Sequence, residues 1–123
     1  KIEAGAQFIQ TQFCFDLDLL RRFMDAAGRR GLHRRAHIIV GVGTLSSVKA
    51  LRWMAHHVPG VHIPESVLVR IAGADDQKAE GLAILVETIR ALRGIEGVAG
   101  VHLMGHRNEA TLAEAIVQSG VRA

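Results

Sequence analysis

Gln12 is the residue of this sequence best suited to read a ligand. The apolar pair Phe8-Ile9 runs into the polar pair Thr11-Gln12, and the chain then turns through Phe13-Cys14-Phe15 to Asp16, a helix-capping residue type. In α/β proteins ligands bind at the C-terminal ends of parallel strands, which is where this spacing puts Gln12. A glutamine there offers donors and an acceptor to an amide-like edge. Taken alone, a loop glutamine more often satisfies backbone groups nearby. Phe13 and Phe15 read as packing residues, with Phe15 the better placed to face a ligand. Past the third strand, His106 and Arg107 fall on the same functional face and are candidates for ligand contact. His102, inside that strand, reads as a core histidine.

Other chemistry-bearing residues lack the spacing their chemistry needs. His56 and His57 are adjacent rather than i, i+4, so one helix face cannot give both to a metal. No cysteine or carboxylate stands at ligand spacing from His102 and His106, so no metal site is expected. Gly41-Val-Gly43 lacks the third glycine of a dinucleotide fingerprint, since Ser46 occupies that place, and reads as close backbone packing. Cys14 has no histidine near it in sequence to support a nucleophile.

Three strand–helix units position these residues. The first strand covers about residues 8–11, followed by a helix over about 17–27 with Leu19, Leu20, Phe23 and Met24 in an apolar stripe, stopped by Gly28 and Gly31. The second strand, 37–43, is a nearly unbroken apolar run of the kind buried on both faces. Ser46 suits the N-cap of a helix carrying Val48, Leu51, Trp53 and Met54. Pro59-Gly60 ends it. A short helix follows Ile63-Pro64, and Asp75 opens a longer one to about Arg93. The third strand, 98–104, leads through Gly105-His106-Arg107 to Asn108, a cap for the last helix. Alternating strands and helices imply right-handed parallel crossovers. Three parallel strands leave two apolar edges that proteins normally cover, so the α/β fold is expected to be part of a larger barrel or sheet.

A length of 123 residues suits one domain, and 49% hydrophobic against 22% charged residues is a globular balance rather than a disordered one. No apolar run nears the roughly 20 residues that span a bilayer, so no membrane partner is expected. The net charge of +3 suggests nucleic acid, but Arg29, Arg30, Arg34 and Arg35 lie in a helix-to-strand connection, opposite the strand C-termini. With four Phe, one Trp and no Tyr, stacking platforms are scarce, and this cluster reads as a solvated edge. The single cysteine fits a reducing, cytoplasmic setting. The absence of an initiator Met creates the expectation that the chain is a piece of something longer.

The pattern Lys1-x-x-Ala-Gly-Ala-x-x-x-x-Thr-Gln12-x-x-x-Asp16, then a strand ending Gly41, then Ile63-Pro64 and Gly100-Val-His102, resembles the methylenetetrahydrofolate reductase family over essentially the whole chain. The resemblance implies a TIM (β/α)8 barrel of which this chain is the C-terminal portion, about three strand–helix units spanning residues 1–123. It implies FAD as cofactor, NADH, NADPH or another electron donor, and a folate substrate: 5,10-methylenetetrahydrofolate reduced to 5-methyltetrahydrofolate. By position Gln12 corresponds to the glutamine that hydrogen-bonds the pterin, and Lys1 to the lysine that pairs with the FAD phosphates. The family's acidic residues for proton transfer lie upstream, so no catalytic residue is expected in this chain, and it should be inactive alone. The remainder of the barrel, or a second chain, is the implied partner.

Departures from the family pattern keep other readings open. Val40-Gly41-Val42-Gly43-Thr44 stands where many members have Pro-Gly-Ile-x-Pro; Val48 replaces a phenylalanine, and the arginine expected after the third strand aligns near Asn108 or Glu109, beside Arg107. A non-catalytic folate- or flavin-binding subunit is the main alternative. A barrel enzyme for phosphorylated metabolites, with an anion at the Ser46 helix terminus, is a third.

Overall fold

A computed structural model describes residues 1–122. The strands are β1 (Phe8–Phe13), β2 (His37–Gly43) and β3 (Val98–Met104). The helices are α1 (Leu17–Arg29), α2 (Leu32–Arg35), α3 (Val48–His57), α4 (Glu65–Ala72), α5 (Gln77–Arg93) and α6 (Glu109–Ser119). The strands form one parallel sheet in the order β1-β2-β3. The parallel α/β architecture expected from the sequence is therefore present.

Alternation along the strands divides the sheet into two unlike faces. Ile38, Val40 and Val42 of β2 point to one face, where they pack with Leu20, Met24 and Ala27 of α1, Leu85, Ile89 and Leu92 of α5, and Ala115 of α6. Val40 and Ile89 are fully buried, so this layer is the main core. The register puts Ile39, Gly41 and Gly43 on the opposite face with His37, Gly100, His102 and Met104. That face is open over much of its area: Phe8, Gln10, His37 and His102 are exposed there. β2 is thus packed by helices on one side only. His102 is a solvent-facing residue, not a core histidine, because its side chain falls on this open face.

A second core sits beyond the C-terminal ends of the strands. Phe15 and Leu45 pack there against Leu51 of α3, Leu68 and Ile71 of α4, and Ile84 of α5. Gly81 lets α5 approach: a Cβ at this position would collide with the carbonyl of Leu45. Arg70 of α4 reaches across to Glu80 and to both carboxylate oxygens of Glu87, at 2.6 and 2.9 Å, and clamps α4 to α5. From α5, Arg90 and Arg93 donate to the carbonyls of Gln118 and Gly120, satisfying backbone acceptors at the end of α6.

Several local assignments shift. Residues after Gly31 form α2 rather than a plain connection, started by Gly31 at φ +68°. Ser47, not Ser46, caps α3 by accepting from the Ala50 N–H at 3.1 Å. Asp76, not Asp75, caps α5. Asn108 holds the N-cap position of α6, but its side-chain amide donates to the Thr44 hydroxyl instead and ties the β3–α6 loop to the end of β2.

Candidate functional site

Between Gln10 and Phe13 the first strand advances three residues while β2 advances two, from Ile39 to Gly41. This is a β-bulge at Thr11-Gln12, and it leaves β2 without a regular ladder partner at that point. Thr11 repairs the gap with its side chain: its Oγ1 accepts from the Gly41 N–H at 3.0 Å and donates to the Gln12 carbonyl at 2.8 Å. The ladder resumes where Cys14 N–H donates to the Gly41 carbonyl at 2.8 Å. Gly41 is required here, since a Cβ would lie 2.8 Å from the Thr11 carbonyl and 2.5 Å from Met104 Cε. The Gly-Val-Gly run thus serves close packing, as its sequence suggests.

The bulge turns Gln12 out at the C-terminal end of β1, where it is exposed. Its Oε1 accepts from the Phe13 N–H at 3.1 Å and its Nε2 donates to the Pro59 carbonyl at 3.3 Å. Two bonds orient the amide, yet each end keeps one further site, an N–H and a lone pair. A side chain fixed this way can offer a donor and an acceptor side by side.

Gln12 lines a cleft of about 440 Å³ between β1, the start of α1 and the 58–63 segment. Ile9, Leu19, Leu20 and Phe23 form its apolar wall, and Asp16, Gly60 and His62 stand with Gln12 among its lining. Asp16 uses both carboxylate oxygens: Oδ1 accepts from the Leu19 N–H at 3.0 Å as the α1 cap, and Oδ2 bonds His62 Nδ1 at 2.9 Å. The Leu19 N–H foremost, with His62, holds the Asp16 carboxyl below the usual range. Burial pushes the Cys14 thiol up to about 11, which makes it a poor nucleophile.

The other sequence candidates are dispersed. Phe15 borders the cleft but is 9% exposed, stacked on Phe13 with ring centroids 5.9 Å apart and packed into the second core. Little of it is available to a ligand. Arg107 follows β3 at φ +56°, a left-handed conformation uncommon for a non-glycine residue. It is exposed at the same end of the sheet as Gln12, with β2 between their strands, and does not line the cleft. Lys1 lies at the other end of β1, where its carbonyl accepts from the Ala6 N–H at 3.1 Å. Six residue steps, mostly along β1, lead from Ala6 to Gln12, about 20 Å at 3.3 Å per residue. Lys1 and Gln12 therefore cannot meet the same group of a ligand.

The Asp16–His62 pair was not legible in the sequence. Asp16 is recognisable only as a cap, and its partner lies 46 residues away in a loop that the topology alone brings over the end of β1. At the α3 terminus, Ser47 Oγ and Gln77 Oε1 already take the N–H groups of Ala50 and Val48, which weakens that terminus as an anion site. Among the described residues no group of three or more His, Cys, Asp or Glu could hold a metal, and no helix is long and apolar enough to cross a membrane.

The Thr-Gln pair on which the sequence resemblance rests, with Lys1 and Ala-Gly-Ala before it, thus forms a bulge at a parallel strand end. A family model for methylenetetrahydrofolate reductase matches residues 1–120, nearly the whole chain. The chain belongs to the methylenetetrahydrofolate reductase family, an oxidoreductase lineage of folate metabolism.

Proposed function

We propose that this chain is the C-terminal part of a (β/α)8 barrel that reduces 5,10-methylenetetrahydrofolate to 5-methyltetrahydrofolate, and that Gln12 reads the pterin ring. The observation that carries the reading is the oriented Gln12 amide, with one free donor and one free acceptor, within a chain matched to the family from residue 1 to 120. A pterin presents a lactam and an aminopyrimidine edge, which such an amide complements. The open sheet face and the exposed Phe8 of the edge strand β1 support a seat for the remaining strands and helices of the barrel.

FAD, when bound, supplies the hydride chemistry of this reaction. The residues present fit that cofactor in part. Lys1 has an exposed ammonium suited to a diphosphate, and its distance from Gln12 is consistent with the two residues serving separate ligand groups. Arg107, on the functional face, suits an anionic group of the substrate, and Phe15 borders the cleft. The electron donor is NADH, NADPH or another reductant, and the setting we assign is the cytoplasm. The complete protein, purified, should be yellow from bound flavin; a colourless protein that does not take up added FAD contradicts the reading.

One observation favours a second reading, a folate- or flavin-binding subunit without reductase activity. The carboxylate lining the cleft, Asp16, has both oxygens engaged, so this chain offers no free carboxylate there. Activity then depends on acidic residues upstream. If the strand ends of the upstream half lack them, the binding role holds.

A further inference from the structure

We propose that His62 is a second ligand-binding residue of this site, presenting its Nε2 atom to the same heterocycle that Gln12 reads. The inference rests on the folate reading above and adds a contact to it. Four observations converge on His62. It lines the cleft that Gln12 lines. Its Nδ1 lies 2.9 Å from Asp16 Oδ2, and a carboxylate only accepts, so Nδ1 carries the hydrogen and Nε2 is the atom left to present. Asp16 is itself immobilised, because its other oxygen caps α1. The backbone on either side of His62 is pinned too, since Val61 and Ile63 both pack against the second core.

The imidazole is nevertheless 65% exposed at its side chain, against 17% for Asp16. A ring whose base is fixed by a carboxylate and whose far edge is open is oriented without being consumed by packing. The 58–63 segment is fastened at two points, Pro59 to Gln12 at the end of β1 and His62 to Asp16 in the β1–α1 connection. Gly60, at φ +81°, makes the turn between those two points. The same strap thus orients both side chains, so that a ligand seated on Gln12 has the His62 edge as its neighbour.

A purely structural role for the Asp16–His62 bond is separable by substitution. Asn mimics the Nδ1 position of histidine and can keep the bond to Asp16, whereas Gln mimics Nε2 and gives that bond up. The complete flavin-loaded protein and its His62→Asn and His62→Gln variants are titrated with 5-methyltetrahydrofolate, with thermal melting and flavin content recorded for each. One lost hydrogen bond predicts roughly a tenfold weaker Kd for His62→Asn at unchanged melting temperature and flavin content. His62→Gln should bind closer to wild type. Wild-type affinity in His62→Asn, with loss only in His62→Gln, overturns the inference and leaves a staple. A wild-type protein that binds no folate overturns the functional reading, and this inference with it.

Discussion

At the scale of single residues, the account turns on side chains whose freedom is limited by their neighbours. Gln12 is held by Phe13 and Pro59, so truncation removes both its orientation and its two remaining contacts. Gln12→Ala is expected to weaken folate binding by roughly 10- to 100-fold, the worth of one to two hydrogen bonds, while flavin content stays unchanged. Equilibrium titration of the complete protein measures this. Cys14 makes the opposite kind of prediction. With its thiol pushed up to about 11 by burial, roughly a thousandth is thiolate at pH 8. Labelling by a disulfide reagent should therefore be slow in the native protein and become fast in denaturant. Gln12 was legible because its residue type and its place at a strand end agree. His62 was not, since only the folded topology brings it to Asp16, and His102 was misjudged because strand periodicity does not say which face the helices cover.

At the scale of elements, the strands were legible from their apolar runs, and β2 and β3 keep the bounds that the runs suggest. The bulge was hidden because an extra residue exists only relative to the partner strand's register. α2 was hidden by Gly28 and Gly31, which read as a stop although Gly31 also starts the next turn. Helix contacts give two predictions. In a helix interior Gly81→Ala gains up to about 1 kcal/mol of propensity, but the collision with the Leu45 carbonyl forces α5 away and costs about 1–3 kcal/mol. A lower melting temperature is therefore expected. Asp16 and Glu87 are both held below their ordinary values, Asp16 chiefly by the Leu19 N–H and Glu87 by Arg70. A lowered folded-state value means stability that is present above the ordinary carboxylate range and lost as pH falls through the folded-state value. Melting temperature should hold down to about pH 4 and then fall. Asp16→Asn, which still caps a helix, should make that fall shallower.

At the scale of the whole molecule, the sheet has helices packed on one side and an exposed, partly apolar face on the other. Phe8, on the edge strand β1, is 61% exposed. A parallel edge with unpaired backbone groups and apolar side chains is a template for further pairing. Expressed by itself, the 123-residue chain should self-associate, and sedimentation velocity would show species larger than a monomer. A monodisperse monomer would count against a barrel segment. The central claim, that Gln12 serves a flavin-dependent folate reduction, is tested most directly by one half-reaction. Flavin in the complete protein is reduced under anaerobic conditions, and its reoxidation by 5,10-methylenetetrahydrofolate is followed for wild type and Gln12→Ala. The account predicts full reoxidation in the wild type and a strongly slowed reaction in the variant at equal flavin content. Failure of the wild type to reoxidise, or equal rates in the two proteins, would contradict it.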